Sequence, residues 1–170
     1  VAGYWGSTIE IEAVVHPLGN REKGTIHFND TAGSMARDSV TNASSVVRMI
    51  TGKNLSDYDV HVNVVGGGNI DGPSAGAAIT CAIISALTGK PLRQDIAVTG
   101  EISLSGRIKP VGGIAEKAFG AHQGGMKAIL IPKQNAMDMG SEYMHMKVIP
   151  VDTIQDILEH MLVRKKQKMK

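Results

Sequence analysis

The chain has 170 residues and a single cysteine, Cys81, so an intrachain disulfide framework is excluded and a reducing compartment is favoured. No apolar run approaches the roughly 20 residues that span a bilayer, and the N-terminus lacks the cationic-then-apolar pattern of a secretion signal. Charge of either sign is nearly balanced, at a formal net +2, too little for a nucleic-acid surface. Much of the excess lies in Arg164-Lys165-Lys166-Gln167-Lys168-Met169-Lys170, a short cationic end of the kind that is ordinarily frayed and solvated. The six histidines, His16, His27, His61, His122, His145 and His160, form no His-Glu-x-x-His pair, so metal catalysis has no foothold and the expectation is no metal site. There is also no Gly-x-x-x-x-Gly-Lys-Ser/Thr phosphate loop, so ATP hydrolysis is not expected of this polypeptide.

What is present is 42% apolar residues and 20% charged, enough for one compact domain with a continuous core. Ser7 to Val15 and Gly24 to Phe28 alternate polar and apolar residues around the turn residues Gly19-Asn20, which predicts a hairpin. Met35, Val40, Val46, Val47 and Ile50 predict an amphipathic helix from Ser34 to Ile50, stopped at Gly52. Asp59 to Val65 reads as a strand entering the loop Gly66-Gly67-Gly68-Asn69. The helix from Ser74 to Thr88 is apolar or small throughout, ends at Gly89 and should be buried centrally, with Cys81 in the packing. Short strands are expected at Ile96 to Thr99, Ser103-Leu104 and Gly106 to Val111, then a helix from Ile114 to His122. Strands at Lys127 to Pro132 and Val148 to Val151 precede a last helix, Thr153 to Val163, capped by Asp152 or Thr153. The expected fold class is α+β, with α/β character: mixed short sheets with packed helices, without repeat or linker. The methionines around Met137, Met139, Met144 and Met146 read as gap-filling or flexible contact surface, and Trp5 as a core or subunit contact.

The chemistry concentrates in Asp71-Gly72-Pro73-Ser74-Ala75-Gly76, where a turn breaks into an apolar helix. A hydroxyl at that point meets backbone N–H groups that carry partial positive charge and suit a forming oxyanion. A serine needs a base, and Lys117 is the candidate. It shares a helix face with Ile114 and Ala121, so its amine is expected to point inward, where burial lowers a lysine pKa towards neutrality. Ser-Lys is a known variant of the serine-base scheme. Each residue alone has an ordinary reading: Ser74 an N-cap, Lys117 a solvated charge, Asp71 a turn residue and Thr99 a strand former.

Their joint arrangement is more specific. The run from Asp71 to Gly76, with Leu87-Thr88-Gly89, Val98-Thr99-Gly100-Glu101-Ile102, Gly106, Pro110-Val111-Gly112-Gly113, Glu116-Lys117, Ala121-His122, Gly124-Gly125 and Ile131-Pro132, resembles the proteolytic domain of Lon proteases. The likeness is dense from Gly66 to Pro132 and thinner at both ends. By this resemblance Ser74 is the nucleophile and Lys117 the general base. Asp71 to Ser74 is similar to the bacterial Asp-Gly-Pro-Ser form of the motif rather than the Glu-Gly-Asp-Ser form. Thr99 is implied to hold the lysine through a hydrogen bond, and Asp71 to support the site.

The resemblance further implies a serine endopeptidase that hydrolyses peptide bonds in unfolded or damaged proteins, in a homo-hexamer; the lone cysteine and the lack of a span or signal make a cytoplasmic location the expectation. An AAA+ ATPase region would use ATP and Mg, whereas no cofactor is expected in this chain. Residues 1–163 would be the proteolytic domain and 164–170 a basic tail; membranes are not expected as partners, and nucleic acid is left open. Gly72-Pro73-Ser74-Ala75-Gly76 also satisfies the Gly-x-Ser-x-Gly elbow of α/β-hydrolases, which would make an esterase with His122, His145 or His160 as base. A non-catalytic anion site at the helix start is the other alternative.

Overall fold

Alternation decides which way a strand faces, not which strand it pairs with, and the first sheet separates the two. The structure is a computed structural model that describes residues 6–19, 23–29, 34–65 and 72–163. Trp5, the Gly66 to Asn69 loop, Asp71 and the tail at 164–170 lie outside the described residues. Strands β1 (Glu10–Pro17) and β2 (Ile26–Phe28) do not pair. Between them lies β3 (Tyr58–Val65), antiparallel to β1 with Glu10 opposite Val65 and parallel to β2 with Ile26 opposite Val60. The expected hairpin is therefore replaced by a crossover, β2 to helix α1 (Ser34–Thr51) to β3, the connection a parallel pair requires. Val60, Val62 and Val64 are buried on the inner face, while His61 and Asn63 face solvent.

Helix α2 (Gly76–Thr88) packs against this inner face. Ile79, Thr80, Cys81, Ile83 and Ile84 are all buried, as an all-round apolar helix must be. Gly89 closes it in the left-handed conformation, φ 64°. Burial pushes the Cys81 thiol up to about 12, so it is a small apolar filler.

The second sheet runs in the order β4 (Ile96–Val98), β7 (Ala128–Pro132), β9 (Met146–Val151), β8 (Glu142–Tyr143), with β8 alone antiparallel. All five residues of β7 are buried, as expected of a strand covered on both faces. Ala128 and Leu130 join the larger core with α1, α2 and α4 (Ile154–Met161). Ile129 and Ile131 face the other way, into a smaller core under α3 (Ile114–Gln123). A two-stranded ribbon, β5 (Glu101–Ile102) and β6 (Ile108–Lys109), connects β4 to α3. The strand expected at Ser103-Leu104 is instead the ribbon's turn, closed by Gly106 N–H on Ser103 O and by Gly106 at φ 79°. Thr153 caps α4 in a reciprocal box with Asp156. The mixed architecture is the α+β class expected.

Candidate active site

Ser74 stands one turn ahead of α2 rather than at its N-cap. Residues Pro73–Ala75 form a 3-10 turn; Gly76 N–H bonds Pro73 O, and the cap position of α2 is Ala75. The preceding Gly72 has φ 114°, a conformation that a residue with a Cβ rarely adopts, and Pro73 presets the turn that follows. Gly100, just beyond β4, braces this turn from both sides: its N–H donates to Ser74 O at 2.9 Å and its carbonyl accepts Ala77 N–H at 3.0 Å. A Cβ at Gly100 would lie 2.5 Å from Ile108 Cγ2, so only glycine lets the backbone come this close.

Thr99 continues the ladder, donating its N–H to Leu130 O at 3.1 Å. It is buried, at 7% exposure, and alternates in register with Ala97, which packs in the smaller core under α3. At the strand end Thr99-Gly100, Gly100 is bonded to the serine turn, and Thr99 shares by alternation the face of Ala97.

Lys117 is half-buried one turn into α3. Lys127 N–H bonds Asp95 O just before β4, which sets the chain leaving α3 at the start of the strands. Lys117 Nζ donates to Gly112 O at 2.9 Å. Burial holds the amine below the ordinary lysine value near 10.5, and the Glu116 carboxylate opposes this to a lesser extent. Among the described residues Lys117 Nζ bonds neither Ser74 nor Thr99. Ser74 and the Thr99-Gly100 strand end are thus joined through Gly100, while Lys117 lies on α3 with its amine on the Gly112 carbonyl. Gly112 as that acceptor, and Gly100 as the serine brace, were not singled out from sequence; the Gly112-Gly113 pair before a helix was the available signal.

Among the described residues none of the three histidines suited to a hydrolase base bonds Ser74. His122 ends α3 against Tyr143, His145 pairs with Glu142 at 3.4 Å, and His160 is on α4. Among the described residues no three His, Cys, Asp or Glu side chains are grouped to hold a metal, and no helix is long and apolar enough to cross a membrane. A groove of about 210 Å³ lined by Asp38, Ser39, Asn42, Pro73 and Glu101 borders the serine turn. A larger one, about 390 Å³, lies between β2 and α1; its lining residue Phe28 packs with Ala75 on Val64.

Residues 1–164 match the Lon protease (S16) C-terminal proteolytic domain. The chain belongs to this family. It is 36% identical over 167 residues to an archaeal Lon protease of Pyrococcus abyssi, covering 96% of this chain and 17% of that protein. A Lon protease of Azospirillum brasilense is 40% identical over 170 residues, covering 94% and 20%. Lon protease 2 of Bacillus subtilis is 38% identical over 172 residues, covering 93% and 31%. The chain thus spans less than a third of the length of these Lon relatives.

Proposed function

We propose that this Lon-family domain is a serine endopeptidase in which Ser74 is the nucleophile and Lys117 its base. Neutral Lys117 takes the Ser74 proton, Ser74 Oγ attacks a peptide carbonyl, and the Ser74 N–H with a loop amide stabilises the oxyanion. The protonated lysine then gives its proton to the leaving amine, and the neutral amine activates water to cleave the acyl-enzyme. Thr99 contributes by lining the lysine's side of the strand end, and Asp71 by supporting the serine loop. Neither metal nor cofactor enters these steps.

The reading is supported by one observation: a half-buried amine that burial holds below the ordinary lysine value lies on α3, the helix over the sheet face that carries Ala97, while Gly100 just beyond the same strand braces Ser74. An extended polypeptide, unfolded or damaged, is the proposed substrate, held mainly through backbone hydrogen bonds. The working assembly is a cytoplasmic homo-hexamer coupled to an AAA+ ATPase region that uses ATP and Mg.

Active-site labelling with a peptide boronate or fluorophosphonate, located by mass spectrometry, tests the pair directly. Ser74 should carry the label, Ser74→Ala should abolish it, and Lys117→Ala should slow it by about 10³-fold or more. Labelling that survives Lys117→Ala would transfer the role to a histidine base, and an unreactive Ser74 would leave only an anion-binding turn.

A further inference from the structure

Val111, where the chain turns from β6 towards α3, has both backbone polar groups taken by one side chain. Its N–H donates to Asn135 Oδ1 at 2.9 Å, and Asn135 Nδ2 donates back to Val111 O at 2.9 Å. Asn135 lies in the 3-10 turn that follows β7 and is only 6% exposed. Its remaining Nδ2 hydrogen goes to Asp138 Oδ2 at 2.7 Å. That third bond sets the amide's orientation, because a flipped amide would aim its oxygen at a carboxylate and its N–H at an N–H. Such a satisfied, buried amide is rigid and costly to disrupt.

The Val111 side chain packs against the smaller core, whereas the two glycines between it and α3 have little around them. A Cβ built on Gly112 would meet no atom within 4 Å, and one on Gly113 only a Glu116 carboxylate oxygen at 3.5 Å. Yet Gly112 O is the acceptor of Lys117 Nζ. The carbonyl that holds the lysine is therefore flanked by α3 on one side and on the other by Val111, whose side chain is held by the smaller core and whose backbone polar groups are held by Asn135. A neutral amine that donates to a carbonyl turns its lone pair away from that carbonyl, so the direction of Gly112 C=O sets where the base can accept a proton.

We propose that Asn135 is a positioning residue for Lys117: its amide clamps Val111, Val111 fixes the adjoining Gly112 carbonyl, and that carbonyl aims the amine. The inference rests on the Ser74-Lys117 reading above. A purely structural asparagine would affect the melting temperature; a positioning residue also changes how the reaction depends on pH.

The test measures the rate of Ser74 phosphonylation from neutral to alkaline pH, together with acetylation of Lys117 Nζ by limiting acetic anhydride, read by mass spectrometry. Asn135→Ala should slow phosphonylation by roughly tenfold and displace its pH limb, with the acetylation profile of Lys117 moving alongside. Leu158→Ala, a core truncation on α4, should lower the melting temperature and leave both profiles in place. Should Asn135→Ala not fold, Asn135→Asp keeps the acceptor for Val111 N–H and removes both donors, and the same displacement is expected of it. Unchanged profiles in a folded Asn135 variant overturn the inference while the dyad stands. A wild-type Ser74 whose labelling is indifferent to Lys117→Ala overturns the dyad instead, and Lys117 acetylation still reports whether the clamp acts on the amine.

Discussion

The serine half and the lysine half of the site are built differently. Ser74 sits at the mouth of the large core, its turn held through Gly100 on both sides and followed by a helix buried all round. Lys117 stands over the smaller core, half-exposed, with one hydrogen bond to a carbonyl in an unpacked glycine loop. A nucleophile gains from rigidity, since its geometry towards the carbonyl must be reproducible. A base that alternately takes, gives and again takes a proton needs reach, and its amine must become neutral without being sealed from solvent.

Among changes that spare Ser74 and Lys117 themselves, breaking the serine half should have the largest effect. Gly100→Ala forces a Cβ onto Ile108 Cγ2, which should cost about 1–3 kcal/mol of stability and slow Ser74 labelling on the order of 100-fold. Thermal melts with the labelling assay check both. The lysine half can be disturbed alone through Gly120, whose added Cβ would come within 2.4 Å of the Gly6 backbone where the N-terminal segment crosses α3. Gly120→Ala should slow the Lys117-dependent reaction by roughly tenfold, less than the serine-side change, because α3 shifts while the turn at Ser74 stays braced.

The pH profile sharpens the contrast further. The neutral amine is the base, so activity should rise with pH through a limb below 10.5, and Lys117→Ala should remove that limb. In the same window the unfolded chain binds the extra proton, so Lys117's contribution makes stability increase with pH. The smallest effect belongs to a site touching neither half. Asp156→Ala removes the α4 capping box at a cost of about 1 kcal/mol with labelling unchanged. The Asp156 carboxyl is held below its ordinary value, first by the Asp152 N–H and then by Thr153. Its stabilisation is therefore present above about pH 4 and lost as pH falls through the depressed value, which acid melts of the variant would show.

Much of this was legible in the residues. The central helix, α3, the buried β7 and the Thr153 cap follow from apolar spacing and terminal signals, which are local. The hairpin failed because pairing is non-local: β1 and β2 carry the right alternation but each finds β3. Strand β8 is two residues long, too short to show a period. At the site, the short motifs pointed to Ser74 and Lys117, whereas the Gly112-Gly113 pair marks a helix start without saying which group its carbonyl accepts from. Asn135 reads as an ordinary loop residue until its partner Val111, 24 positions away, is known.

A crystal structure of the peptide-boronate adduct tests the central claim most directly. The account predicts boron bonded to Ser74 Oγ, with Lys117 Nζ within about 3 Å of that oxygen as a base requires. An adduct on Ser74 with another side chain as its proton acceptor, and Lys117 still confined to Gly112 O, would contradict it.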